Sequence, residues 1–385
     1  MPRPERTPQS QHVLGKAYAL ELIATRDPRQ GWPPTCIVIR VPNTGRSVRF
    51  LLVGVFFINA AGADSFVTKA KAAAEFAGFQ NILWAEPTDI TQRDLFYGSG
   101  GRRHAPAGTK FQFLREDRKG SSPKFDVRDS AGVTWTVKQD VEARPETAAT
   151  RLVWAAGYRT QEDYFLPEIQ VTGLPANLRG RDLIKQEGLV PNVRLERAHD
   201  GLVKIGIWSW KDSPIAGTRE WNGLRVLMAL INNWDLKDNN NGVFTNSVVT
   251  NSTDPRQRIY MITDLGASFG TNGIGRGHLE SRGNLTSYQH SRFITHVDSD
   301  RVDFATPDKA PMRSLLSPPH YVYRLRLRWL GRNIPRQDAK WMGGLLAHLS
   351  KKQIRDAFRA AGYESATADA FAQVVESRVA ALNAL

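Results

Sequence analysis

The stretch Asn232–Phe244 reads NNWDLKDNNNGVF, seven Asn or Asp residues around a single Lys, directly after the apolar run LRVLMALI. Short polar side chains bond their own backbone and favour turns, so the plain expectation is a soft turn that ends a helix. The same side chains are also oxygen ligands and proton acceptors. Asp235, Lys237 and Asn240 stand in a D-x-K-x-x-N spacing, and what surrounds them decides which reading holds.

Upstream, GTREWNGLRVLMALINN predicts a strong helix, with Thr218 as its cap and Leu224, Leu227, Met228 and Ile231 on one stripe. Downstream, GVFTNSVV and RQRIYMITDLGASFG predict a strand pair around the turn TNSTDP, with Asp264 at a strand end. Further upstream, KFQFLRED, FDVRD and VTWTVKQ alternate as three strands of an antiparallel meander, with RKGSSPK (Arg118–Lys124) between the first two. RPETAATRLVWAAGY follows as an amphipathic helix. Pro145 lies in its first turn, Ala148, Leu152, Ala155 and Ala156 make an apolar face, and Gly157 is its stop. YFLPEIQV predicts a strand and VRLERAHDGLVKIGIW a hairpin, and the chain beyond about Pro311 reads as mostly helical.

Phosphoryl transfer from a nucleotide needs a cover over the phosphates, a cation on them, oxygen ligands for magnesium and a carboxylate that orients the acceptor. WDLKDNNN resembles the catalytic loop of protein kinases, and the Asp235–Asn240 spacing is also similar to that of HipA-like and lipid kinases. ITDLG resembles the metal-binding motif of those enzymes, TVK places Lys138 where kinases keep the phosphate-gripping Lys, and PETAATRLVWAAGY resembles the helix that supplies its partner. The resemblance, to atypical kinases of the HipA-like or CotH-like sort, covers roughly residues 110–270. It implies an α+β, two-lobed protein-kinase-like fold with a strand-rich N-lobe and a helix-rich C-lobe.

It also implies roles. Asp235 is the base and Lys237 stabilises transferred charge; Asn240 and Asp264 hold magnesium. Lys138 grips phosphate and Glu146 positions it, with Glu142 as a rival partner. Gly120, Ser121, Ser122 and Lys124 belong to the covering loop. The cofactors implied are ATP and Mg2+, with a nucleotide and an unidentified acceptor, protein or small molecule, as partners. The sequence departs from ordinary protein kinases in several places: no G-x-G-x-x-G, no His-Arg before Asp235 and no Ala-Pro-Glu after Asp264. A kinase-like binding protein without turnover is therefore the alternative.

Rival motifs are weaker. GASFG (Gly266–Gly270) matches the G-x-S-x-G elbow of serine hydrolases with Ser268 as nucleophile, but no alternating run of parallel strands and helices surrounds it. GIGRG (Gly273–Gly277) follows no strand, and the Asx run lacks the spacing of a calcium loop. WSWKDSP (Trp208–Pro214) reads as core or, alternatively, as an aromatic platform.

Composition sets the outer bounds. The chain has 385 residues, 41% hydrophobic and 23% charged, with ten Trp, enough for a substantial core. A single cysteine, Cys36, excludes a disulfide framework within the chain and a multi-cysteine zinc site. The net charge of +14 is scattered rather than clustered and gives no specific nucleic-acid signal. Residues 46–63 (RSVRFLLVGVFFINAAGA) have the order of a secretory signal: basic residues, a short apolar core, then small-x-small ending at Ala63. The segment is too short to span a membrane. The expected organisation is a leader over 1–63, a helix-and-loop extension over 64–109, the strand-rich N-lobe over 110–199 and the C-lobe with its helical extension over 200–385. Cleavage after Ala63 would make the protein exported, without a transmembrane anchor; without cleavage it would be cytoplasmic.

Overall fold

The computed structural model describes residues 79–118, 122–198, 201–246, 256–270, 281–305, 322 and 325–385. The signal-like segment, the helix expected from residue 64, and Gly120 and Ser121 lie outside them. Gly78–Leu385 forms one compact unit.

The three alternating segments fold as the expected meander: β2 (Lys110–Asp117), β3 (Lys124–Asp129) and β4 (Thr134–Lys138). Asp129 fixes the turn between β3 and β4. Its Oδ1 accepts the Ala131 and Val133 N–H groups at 2.9 Å, and its Oδ2 accepts Trp135 Nε1 at 2.9 Å, which aims the indole inward. The meander is closed into a five-stranded barrel by β5 (Asp163–Thr172) and β6 (Leu189–Arg197). β5 runs parallel to β2, and β6 runs antiparallel to both β4 and β5. Phe125, Val127, Trp135, Val137, Val193 and Leu195 fill the interior, each 1% exposed or less.

Between β4 and β5 runs α1 (Ala143–Ala155). Pro145 sits in its first turn, where the missing N–H is an orphan in any case. Gly157 ends the helix at φ 91°, and a Cβ there would collide with the Ala85 carbonyl and the Trp84 indole, so only glycine fits. Ala148, Leu152, Ala155 and Ala156 face the larger core of the molecule, away from the barrel interior. α1 is thus the element that carries barrel-side charges against helical-side packing.

The hairpin expected over Val193–Trp208 does not form. β7 (Leu202–Gly206) leaves the barrel for a second sheet of order β1-β9-β8-β7, with β1 at Gln80–Ile82, β8 at Asn241–Asn246 and β9 at Gln257–Ile262. The reason is edge occupancy: β6 already pairs with β4 on one side and β5 on the other, so it has no free edge for β7. The β8–β9 pair forms as expected, in antiparallel register.

α2 (Arg219–Leu230) starts at Thr218, whose Oγ1 accepts Trp221 N–H at 3.1 Å. Trp221, Leu224, Leu227, Met228 and Ile231 are all buried, so the helix is a core element rather than a surface one. Beyond it come the short α3 (Leu285–Gln289), a small sheet of β10 (Ile294–Val297), β11 (Arg301–Phe304) and β12 (Ile334–Pro335), and the helices α4 (Arg336–Leu346), α5 (Lys351–Ala360) and α6 (Ser365–Asn383). Ser350 and Gln353 form a reciprocal capping box on α5, and Gln353 Nε2 also donates to the Ile90 and Arg93 carbonyls, pinning the loop after β1. Phe358 and Phe371 stack at 4.9 Å across α5 and α6, with Phe269 edge-on at 5.0 Å from Phe358. The fold is mixed α+β, with a strand-rich region and a helical region. Among the described residues no helix is long and apolar enough to cross a membrane.

Candidate active site

The polar loop after α2 is shaped by its own Asx side chains. Asn232 ends the helix at φ 50° and its amide donates to the Gly270 carbonyl. Asn233 Oδ1 accepts the Asp235 N–H at 3.0 Å, Asp238 Oδ1 accepts Trp210 N–H at 3.1 Å, and Asn241 Nδ2 donates to the Trp208 carbonyl at 3.1 Å. Those residues are structural. Asp235, Lys237 and Asn240 remain partly exposed.

Asn240 Nδ2 donates to the Asp235 carbonyl at 2.6 Å and approaches Asp235 Oδ2 at 3.4 Å; Lys237 Nζ lies 2.9 Å from the Asp235 carboxylate. With its amide nitrogen so engaged, Asn240 turns an oxygen acceptor the other way. Three backbone bonds then lay the segment around Asp264 along this loop. Thr263 N–H donates to the Asn240 carbonyl at 2.8 Å, Trp234 N–H to the Ala267 carbonyl at 3.3 Å, and Phe269 N–H to the Ile231 carbonyl at 2.8 Å. Asp264 therefore leaves β9 one residue beyond the bond to Asn240. Phe269 holds φ 53°, a costly conformation for a bulky residue. Its ring is locked among Tyr288, Phe358 and Phe371.

From the barrel, β4 ends at Lys138, whose Nζ meets three carboxylates: Glu146 at 2.8 Å, Glu142 at 2.9 Å and Asp264 at 3.2 Å. Glu142 stands at the start of α1 and Glu146 one turn on, so the very short link from β4 presents both to the same ammonium. Both of the alternatives raised by the sequence are used. Glu146 is held from two further sides, by Arg194 at 3.7 Å and by the Leu265 N–H at 3.4 Å.

Burial alone would lower the Lys138 pKa, but Glu146, Asp264 and Glu142 outweigh it and hold the ammonium above its ordinary value. Burial likewise opposes ionisation of Asp264, yet Lys138 and the Gly266 N–H prevail, and its carboxyl sits below the usual range. For Glu146 burial wins over Arg194 and Lys138, and its carboxyl is held above the ordinary value.

Behind this cluster runs a buried relay that the sequence did not disclose. Asp163 on β5 accepts Arg151 at 2.5 Å and Arg194 at 2.9 Å, its side chain fully buried, and Arg194 reaches on to Glu196 at 3.0 Å as well as to Glu146. In VRLER the alternation correctly turns Val193 and Leu195 into the barrel. It leaves Arg194 looking like a solvent-facing residue, because nothing local says that α1 covers that face. Arg282, on the segment before α3, lies 3.1 Å from Glu142 Oε1 and over the Trp234 ring at 4.7 Å.

The remaining expected residues are placed as follows. Ser122 Oγ donates to Glu142 Oε2 at 3.0 Å, so the residue two before β3 touches the Lys138 cluster. Lys124 is the cross-strand neighbour of Lys138, but its Nζ pairs with Asp117 at 3.2 Å. Trp208 and Trp210 are 3% and 1% exposed and pack against each other, so WSWKDSP is core and not a platform. Ser268 is fully buried, which denies its hydroxyl to any substrate.

Could this set hold a magnesium nucleotide? The Asp264 side chain is 38% exposed and ionised, Asn240 is partly exposed and bonds Asp235 through its amide nitrogen, and a buried ammonium stands next to Asp264. Hard oxygen ligands and one cation are the right donors for a magnesium phosphate. Among the described residues no three His, Cys, Asp or Glu side chains gather as a protein-only metal site. Magnesium here would take its other ligands from phosphate and water, which is its usual habit. The residues fit the group.

No family model matches this sequence, and no curated protein matches it. Among solved structures the chain is similar to a Helicobacter pylori proinflammatory kinase, CtkA, at a TM-score of 0.40 and 11% identity, over 71% of this chain and 96% of that one. It is also similar to the Golgi casein kinase, at a TM-score of 0.27 and 10% identity, over 87% of this chain and 94% of that one. Likeness at these scores carries no weight for activity, which has to rest on the side chains themselves.

Proposed function

We propose that this chain is an atypical, kinase-like phosphotransferase, of the HipA-like or CotH-like sort, that uses ATP and Mg2+ within a two-lobed fold. The observation that carries the reading is the meeting of Lys138, Glu146 and Asp264 at 2.8–3.2 Å, with Asp264 next to the backbone bond that joins Thr263 to Asn240. Residues from β4, α1 and the end of β9 meet there, and the loop after α2 is joined to the same strand end, which supports a site built for positioning.

When bound, the magnesium nucleotide supplies the phosphoryl group and the neutralisation of its charge. The chain supplies the rest. Lys138 directs its ammonium at phosphate oxygens, with Glu146 and Arg194 setting its position. Asn240 and Asp264 would hold the metal through their side-chain oxygens. Asp235 accepts the hydrogen bond, and then the proton, of the acceptor hydroxyl. Lys237 Nζ, 2.9 Å from Asp235, offsets negative charge as it moves to the acceptor. The signal-like segment adds the proposal that the protein works outside the cytoplasm, which N-terminal sequencing of the native protein tests directly.

The functional test is a thermal shift with ATP, with and without magnesium, joined to a γ-phosphate transfer assay. A magnesium-dependent rise in Tm is expected, lost in Asp264→Ala. Asp235→Asn should keep the shift and lose about 10²-fold or more of any turnover. Binding without turnover in the wild type would make the chain a silent nucleotide-binding relative; no shift under any condition removes the enzyme reading.

A further inference from the structure

Three carboxylates crowd the Lys138 ammonium at 2.8–3.2 Å. A phosphate group can reach this ammonium only if one carboxylate gives way, so the three must be compared. Glu146 is fixed: its side chain is 2% exposed, Arg194 stands against its other oxygen, and the Leu265 N–H donates to it. Asp264 is tethered through the Gly266 N–H at 3.2 Å and has the metal to bind. Glu142 is held by other side chains, with an exposure between that of Glu146 and the 38% of Asp264. It stands at the mouth of α1 with its side chain 15% exposed, and its other partners are the Ser122 hydroxyl and the Arg282 guanidinium, itself 27% exposed.

From this we infer that Glu142 is the displaceable counter-ion of Lys138, a residue that competes with nucleotide phosphate and is drawn off by Arg282. The inference rests on the nucleotide-binding reading of the site. Glu142 ties together three segments with separate origins in the chain: the end of the covering loop through Ser122, the phosphate-gripping Lys138, and the segment before α3 through Arg282. Gly266, two residues past Asp264, packs directly on its stem; a Cβ there would come within 2.8 Å of Glu142 Cβ. Arg282 gives Glu142 somewhere to go. When Lys138 turns to phosphate, the carboxylate keeps a guanidinium at 3.1 Å and a hydroxyl at 3.0 Å, so its charge is not stranded. Glu142 thereby acts on affinity through Lys138, as a positioning residue, and Arg282 sets how strongly it competes.

Two variants separate this role from a merely structural one, because they move affinity in opposite directions. Calorimetric titration of the whole chain with magnesium–ATP and, in parallel, with adenosine is the experiment. Glu142→Gln keeps shape and hydrogen bonding and removes the competing charge, and ATP should bind about three- to tenfold more tightly. Adenosine, which has no phosphate, should bind as it does to the wild type. Arg282→Ala leaves Glu142 with Lys138 alone, and ATP should bind about three- to tenfold more weakly. In the double variant, loss of Arg282 should have no further effect, since there is no charge left for it to draw away.

Weaker or unchanged ATP binding by Glu142→Gln, with adenosine binding intact, overturns the inference. So does a loss from Arg282→Ala that persists in the Glu142→Gln background, which would make Arg282 a direct phosphate contact. If nucleotides do not bind at all, the site reading has failed instead, and the wild-type titration reveals that. The counter-ion relation then stands or falls on Lys138 acetylation by an amine-reactive ester at pH 9, read by mass spectrometry. Faster acetylation in Glu142→Gln and slower in Arg282→Ala sustains it, and equal rates in all three proteins overturn it.

Discussion

Replacing Lys138 by Met keeps the apolar stem and deletes the ammonium on which three carboxylates converge. Lys138 is 7% exposed. Its folded pKa lies above the ordinary Lys value, so its contribution to stability is complete below that value and is lost only as pH rises through the raised one. At pH 7 the whole contribution is therefore at stake. Breaking one side of a buried ion pair costs about 3–5 kcal/mol when the remaining charge is left uncompensated. Here Glu146 keeps Arg194 at 3.7 Å and Glu142 keeps Arg282 at 3.1 Å. The lower end, about 3 kcal/mol, is expected for that reason. At about 2 °C per kcal/mol for a domain of this size, Tm should fall by about 6 °C.

The pH dependence carries a sign that simple loss of packing would not. In the wild type Lys138 holds the Asp264 carboxyl below its usual range. Without Lys138 the clustered carboxylates protonate at higher pH in the folded state, so the folded variant gains protons, and stability, as pH falls. The gap between variant and wild type should narrow from pH 7 to pH 5. Urea unfolding at the two pH values measures it. Equal stability at pH 7, or a gap that widens toward pH 5, would refute the ion cluster.

Other perturbations test other parts of the fold. Asp163→Ala strips Arg151 and Arg194 of a shared partner whose side chain is fully buried, and should cost about 3–5 kcal/mol in urea unfolding. A loss below about 1 kcal/mol would show that the relay is not load-carrying. Thr218→Ala removes the cap of α2 and should lower stability by about 1 kcal/mol, with Thr218→Ser restoring most of it. Leu227→Ala, at a fully buried position on the same helix, should cost about 2–5 kcal/mol by calorimetry; a neutral result would place α2 outside the core.

Much of this was legible in the chain because it is local. The meander, the stop at Gly157, the cap at Thr218 and the strand pair before and after TNSTDP all follow from alternation, periodicity and turn chemistry over a few residues. Within the D-x-K-x-x-N segment Asn240 bonds back to Asp235, and Asp264 follows the neighbouring strand β9. What escaped was non-local. Whether Leu202–Gly206 turns back on β6 depends on whether β6 has a free edge, and β4 and β5 occupy both edges from distant positions in the chain. Arg194 and Asp163 read as ordinary charged strand residues until α1 is laid over them. Glu142 and Glu146 could be named as rivals for Lys138, yet no spacing rule could tell that both reach it while only one is pinned from behind by Arg194.

The most direct test is a crystal structure with magnesium and a non-hydrolysable ATP analogue. The account predicts the triphosphate within hydrogen-bond reach of Lys138 Nζ, metal between Asn240 and Asp264, and Asp235 facing the terminal phosphate. A triphosphate bound elsewhere on the molecule, with Lys138 still closed on its three carboxylates, would contradict it.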